Sequence, residues 1–503
     1  MADYQLFIDG EYVDAASGDT FATYEPATGQ KLADVAKADR EDTQRAIGAA
    51  RKAFDEGPWP KMSGAERAAK LNKVADLIEA KAEKLSELEA RDGGGTIKKA
   101  MFADIPGGVS AFRWFARCAE EQPDRVDLEG TPFPPSSNYK RYEPQGVTTG
   151  IIPWNFPFIM AAWKIAPSLA AGNCAVIKPA SFTSITALAL GEIFQEADIP
   201  AGVVNIVAGP GGTVGEELAS NPLVDKTAFT GSTEVGRRIM QLASGTVKPV
   251  TLELGGKSAN IVLDDADLDL AAGAVLFGTF LHNGQVCESG TRALVHRSIL
   301  DEFVALLVER AQKIVIGDPL DFTTDLGPLV SRGQVETVER YVKLGRDEVG
   351  EPVVGGSKPT GLADGLDTEA FFQPTIFTGV DNKAKIAQEE IFGPVLCVIP
   401  YDTDDEAVAI ANDSIYGLAG GVQSTNIERA QSIADRMRTG TVWVNDYHLI
   451  DPQRPFGGYK QSGIGRELGV EGYNVYRQVK HVHTNPGGTR DNYIHFSALS
   501  GEI

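Results

Sequence analysis

From residue 147 onward, short and nearly uncharged apolar runs alternate with longer amphipathic ones. VTTGII (147–152), CAVIK (174–178), VVNIV (203–207), KTAFT (226–230) and PVTLEL (249–254) have the length of strands. The stretches between them, 157–170, 184–197, 213–219 and 233–242, have helical spacing. Strands so poor in charge belong to a parallel sheet buried on both faces, and intervening helices are how such a sheet is connected. Ligands of these sheets bind at the carboxyl ends of strands, so chemistry is expected just after each run. Upstream, 43–90 reads as helical: an alanine-rich stretch to Phe54, a turn at GPWP (57–60), then one amphipathic run through Leu71, Val74, Leu77, Ile78, Leu85 and Leu88, ended by DGGGT (92–96). A second α/β stretch is predicted over 260–461. Residues 125–144, around TPFPPSS, and the tail (477–503) fit neither block. Such peripheral pieces either pair with another subunit or form surface loops.

At 503 residues the chain exceeds one ordinary core, so two or three domains are expected. Its formal net charge of −22 repels phosphate backbones and anionic membranes, so neither is an expected partner. Asp3 and Asp9 stand where a signal peptide would be basic and then apolar. The longest uncharged apolar run, 270–281, is shorter than the ~18 residues of a membrane span. The four cysteines form no CxxC pair, which points to a reducing cytoplasm. No metal site is expected.

Of those cysteines, Cys118 ends a helical stretch, Cys174 opens a strand and Cys397 lies in PVLCVI (394–399); all three read as small buried hydrophobes. Cys287, in HNGQVCESG (282–290), instead follows Gly284 and sits among polar residues. In IIPWNFP (151–157) two prolines fix the chain around Trp154 and Asn155 at a strand end. An amide held there can donate to a developing oxyanion, worth about a hundred- to a thousandfold in rate, or can merely satisfy a turn. FTGST (229–233) runs a strand into a helix start whose bare N–H groups attract a pyrophosphate. The Gly231–Gly236 spacing is not GxGxxG, and GPGGTVG (209–215) only approximates it. ELGGK (253–257) places Glu253 at a strand end, as a general base with a raised pKa or as a solvated carboxylate. IKPAS (177–181) ends another strand with Lys178, a candidate for a ribose or phosphate.

PWNFP, FTGST, ELGGK, NGQVC, EEIFGP and PFGGYKQSGIGREL, in this order and spacing, resemble the NAD(P)-dependent aldehyde dehydrogenase superfamily of the hydrolytic, acid-forming type. The resemblance runs from FIDGEYVDAASGDTFATYEPATG (7–29) to VKHV (479–482). It implies an α/β fold of two Rossmann-like parallel domains plus a small β oligomerisation domain. The cofactor domain would span 1–124 and 145–255, the catalytic domain 256–461, and 125–144 with 477–503 would build a homodimer or homotetramer. It implies Cys287 as nucleophile, Glu253 as general base, and Asn155 with the Cys287 N–H as oxyanion donors. Lys178 would hold the adenosine ribose. Ile151, Pro153, Trp154, Ser181, Gly211, Gly231, Ser232, Val235 and Gly236 would line the cofactor cleft, with Glu390 and Phe392 at the nicotinamide ribose and ring. Phe156, Met160, Trp163, Val286, Glu288, Ile450 and Phe456 would form the tunnel for a small-molecule aldehyde, apolar or aromatic by its lining.

Three positions depart from the commonest pattern. Ser181 stands where NAD-preferring members usually carry Glu, so either NAD or NADP is expected, with Lys178 beside a 2′-phosphate. Glu288 and His448 also differ, and both are expected near the tunnel mouth. Of the alternatives, a CoA-acylating semialdehyde dehydrogenase shares the fold but typically lacks the general-base carboxylate. A catalytically inactive member would have lost Cys287, Asn155 or Glu253, and a cysteine hydrolase would need a histidine base.

Overall fold

The computed structural model describes residues 2–132 and 135–498. Val147–Ile151, Cys174–Lys178, Val204–Ile206, Lys226–Thr230 and Val250–Glu253 form the parallel centre of an eight-stranded sheet. Most of their residues are buried, which is why these runs show no polar alternation. The chain winds from Val147–Ile151 outward through Cys174–Lys178 to Val204–Ile206, then crosses back to lay Lys226–Thr230 on the other side of Val147–Ile151. That reversal opens a crevice at the carboxyl ends of the two strands, where IIPWNFP and FTGST begin.

Antiparallel pieces close both edges of this sheet: Leu6–Ile8 with Glu11–Val13 on one side, and Gly463–Ile464 against Val250–Glu253 on the other. A second sheet of six parallel strands has the order Thr375–Thr378, Val395–Tyr401, Arg292–His296, Ala259–Val262, Ala419–Gln423, Thr441–Val444. The two segments that fit neither block pair with each other. Ser137–Pro144 runs antiparallel to Arg477–Thr484, with Arg125–Leu128 as third strand. Positions 133–134 and 499–503 of these segments lie outside the described residues.

Two helical expectations are corrected. The run predicted to continue to residue 90 is two helices, Gly64–Ala80 and Ala82–Gly93, broken at Lys81, whose φ of −104° and ψ of 12° leave the helical region. The first is started by a capping box between Ser63 and Glu66. The helix predicted over 213–219 is a wider turn at Gly211–Gly215, where the glycines weaken helix propensity, followed by Glu216–Ser220. Among the described residues no helix is long and apolar enough to cross a membrane.

Candidate active site

The helix Leu268–Phe280 ends in a turn where His282, Asn283 and Gly284 all adopt left-handed backbone, with φ of 50°, 55° and 68°. A Cβ on Gly284 would lie 2.3 Å from the Gly393 carbonyl oxygen, so this reversal requires glycine. Gln285 pins the loop: its Oε1 accepts from the Val330 N–H at 3.0 Å and its Nε2 donates to the His282 carbonyl at 3.1 Å. Cys287 is only partly buried, whereas Cys118, Cys174 and Cys397 are buried.

The Asn155 amide donates to the Gln285 carbonyl at 2.7 Å, which leaves its second hydrogen for another acceptor. Glu253 ends its strand buried, and neither carboxyl oxygen has a hydrogen-bond partner. Burial pushes its carboxyl well above the usual range, Glu467 adds to the rise, and Lys164 and Arg466 oppose it. Lys164 is itself buried, ion-paired with Glu467 and donating to Thr230 Oγ1 at 2.7 Å. The two glycines of ELGGK bring the blocks together. A Cβ on Gly256 would lie 2.4 Å from the Cys287 carbonyl oxygen, and one on Gly255 would lie 2.0 Å from Glu390 Oε2. Glu390 Oε1 accepts the Gly256 N–H at 3.1 Å, and burial raises its carboxyl to about 7.

Burial pushes the Cys287 thiol well above its usual value, and the carboxyls of Glu288, Glu390 and Glu253 push it further. The nearest of these is Glu288. Cys287 Sγ donates to Glu288 Oε2 at 3.1 Å, and Glu288 Oε1 lies 3.2 Å from His448 Nδ1. Burial alone would raise the Glu288 carboxyl, but the hydrogen bond and charge of His448 hold it below the usual range. Glu288 therefore sits in contact with the thiol itself.

The crevice suits a dinucleotide. Ser232 caps the helix Thr233–Ala243, its Oγ accepting the Val235 N–H at 3.3 Å. Gly231 donates to the Glu253 carbonyl at 3.0 Å, and a Cβ on Gly236 would lie 2.6 Å from a Leu254 methyl, so the helix start packs directly on the Glu253 strand. Open space beside Gly211 extends the cradle. Ile151 and Lys178 are register partners at the strand ends. Lys178 Nζ donates only to its neighbour's carbonyl, that of Pro179, at 2.9 Å, and burial lowers it to about 8. Ser181 Oγ donates to the Gly209 carbonyl at 3.3 Å. Beyond half-buried Pro153, Trp154 meets Phe392 edge to face at 5.1 Å, and Phe392 is held at a φ of 57°, a strained value for a bulky residue.

Of the residues expected in the substrate tunnel, Trp163 and Phe456 meet edge to face at 5.6 Å, and Phe156 packs against His282. Val286 is buried, Met160 is half-buried, and Ile450 packs on Trp443 and Tyr447. A separate cavity of about 550 Å³ is lined by Phe102, Leu276, Phe277, Phe280, Leu281 and His448 among others, and by none of those expected residues. Lys164 and Glu467 were also not anticipated, since each looks like an ordinary helix or loop charge in the sequence.

This arrangement, a doubly wound sheet whose crevice opens onto a partly buried cysteine and a buried unbonded carboxyl, suits covalent chemistry beside a dinucleotide. The profile of the Aldehyde dehydrogenase family matches residues 12–482, and the chain belongs to that family. It is 45% identical over 480 residues to a betaine aldehyde dehydrogenase of Bacillus subtilis, covering 95% of this chain and 97% of the relative. It is also 45% identical to the mitochondrial aldehyde dehydrogenase family 2 member B4 of Arabidopsis thaliana, covering 95% and 88%. A Staphylococcus aureus betaine aldehyde dehydrogenase in complex with NAD+ superposes with a TM-score of 0.94 at 40% identity, covering 97% of this chain and 96% of that one.

Proposed function

We propose that this protein oxidises an apolar or aromatic aldehyde to its carboxylic acid, with Cys287 as nucleophile and NAD or NADP as acceptor. The observation that carries this reading is the convergence of partly buried Cys287, the Asn155 amide and the unbonded Glu253 carboxyl beside the crevice. Cys287 sulfur adds to the aldehyde carbon, and the spare Asn155 hydrogen with the Cys287 N–H holds the resulting alkoxide. When bound, the nicotinamide supplies a hydride acceptor. Residues Trp154, Lys178, Ser181, Gly211, Ser232, Val235, Glu390 and Phe392 would hold the dinucleotide. The thioester left on Cys287 is hydrolysed by water that Glu253 deprotonates, a role its lack of any protein partner supports.

That carboxyl also favours hydrolysis over transfer to CoA. The relatives named for betaine aldehyde bear a cationic substrate in their names, whereas the residues expected in the tunnel, Phe156, Met160, Trp163, Val286, Ile450 and Phe456, are all aromatic or aliphatic. The domain limits 1–124 with 145–255 and 256–461, a homodimer or homotetramer built through 125–144 and 477–503, and a cytoplasmic location complete the reading. An aldehyde panel run with NAD and with NADP tests it. Benzaldehyde is expected to exceed betaine aldehyde in kcat/KM. The reverse order would assign the relatives' substrate, and no coenzyme reduction with any aldehyde would overturn the activity.

A further inference from the structure

We propose that Glu288, rather than Glu253, takes the thiol proton as Cys287 attacks, and that His448 is the positioning residue that holds Glu288 for this step. The inference rests on Cys287 being the nucleophile. Glu288 is the carboxylate in contact with the thiol, with Oε2 at 3.1 Å from Sγ. Its other oxygen lies 3.2 Å from His448 Nδ1, and His448 Nε2 donates to the Gly278 carbonyl at 3.1 Å. His448 thus bridges Glu288 and the Gly278 carbonyl and holds the Glu288 carboxyl against the thiol. The His448 and Glu288 side chains are only 3% and 7% exposed. The imidazole is boxed by Phe277, Trp443 and Tyr447, and the Tyr447 hydroxyl donates to the Glu288 backbone carbonyl at 3.0 Å. Glu390 and Glu253 are the other acids that bear on Cys287. A thiol among three acids is poorly ionised at rest, so its attack needs a base in contact.

The step balances. The S–H bond breaks and its proton passes to Glu288 Oε2, while the sulfur pair forms the C–S bond and the C=O π pair moves to oxygen.

The test uses p-nitrophenyl acetate, which acylates the thiol without aldehyde or coenzyme, and records the p-nitrophenolate burst against pH. In wild type the burst rate should level off once Glu288 is ionised. Glu288→Gln should lower it about a hundredfold at neutral pH and leave a rate that climbs with thiol ionisation. His448→Gln should move the acidic limb to higher pH while keeping the plateau, a displacement that mere loss of packing would not produce. A Glu288→Gln burst equal to or faster than wild type would overturn the proposal, because the carboxylate would then only suppress the thiol. A His448→Gln profile of unchanged midpoint would remove His448 from it. Failure of every aldehyde with wild type would strike the proposed oxidation and leave this burst measurement intact.

Discussion

The acids around Cys287 divide by what they touch. Glu253 touches no polar partner, and its carboxyl is raised by burial and by Glu467. The proposed deacylation needs it ionised, so steady-state turnover should fall as pH drops through its titration, well above the usual carboxylate range. Removing the Glu467 charge makes ionisation of Glu253 easier, so Glu467→Gln is expected to shift the acidic limb of kcat to lower pH. A pH profile in which that limb stays put would detach Glu467 from Glu253. The coenzyme preference also turns on one side chain. Ser181 spends its hydroxyl on the Gly209 carbonyl and brings no charge, while Lys178 has only a backbone partner. NADP should therefore be used, with NAD and NADP differing by less than about a hundredfold in kcat/KM. Ser181→Glu should sharply weaken NADP by like-charge contact with its 2′-phosphate while sparing NAD. Loss of NAD instead would place control elsewhere. Among these residues the chemistry-bearing ones were legible because each follows a recognisable strand or glycine turn. Their supports were not. Lys164 and Glu467 are 303 residues apart, and His448 and Glu288 are 160 apart, so no local pattern joins either pair.

At the scale of elements, the site exists because strand ends and tight turns meet without side chains between them. The ELGG turn is one such approach: Gly256 backs directly onto the Cys287 carbonyl. Gly256→Ala would force the nucleophile loop outward, since the atom it meets is backbone and cannot rotate away. A displacement of this kind is expected to lower kcat/KM about a hundredfold while coenzyme affinity, measured by fluorescence quenching, changes little. Unchanged turnover would mean the loop has slack the structure does not show. The parallel strands were readable because burial on both faces leaves an uninterrupted apolar run. The break at Lys81 was not, since no glycine or proline marks it and the helices on either side continue the same apolar spacing. Leu6–Ile8 and Glu11–Val13 were missed for another reason. At three residues each they are too short to show a period, and they are defined by pairing at a sheet edge.

Across the whole molecule, two sheets with parallel centres bring their residues to one centre. The first gives Asn155, Glu253 and the crevice; the second block gives Cys287, Glu390 and Phe392. The carboxy-terminal segment then crosses back, so that Gly463–Ile464 pairs with the Glu253 strand and Glu467 reaches Lys164. Order of motifs along the chain predicted the two blocks, but only the folded chain reveals that the last one belongs to both. In the proposed reaction one thiol carries the substrate and one carboxylate frees it. Glu253→Gln, mixed with aldehyde and coenzyme, should release a single-turnover burst of reduced coenzyme and then stall. Intact-mass and peptide analysis of the stalled protein should find one acyl group on the peptide containing Cys287. An acyl group on Cys118, Cys174 or Cys397, or a burst with no acyl group at all, would contradict the account.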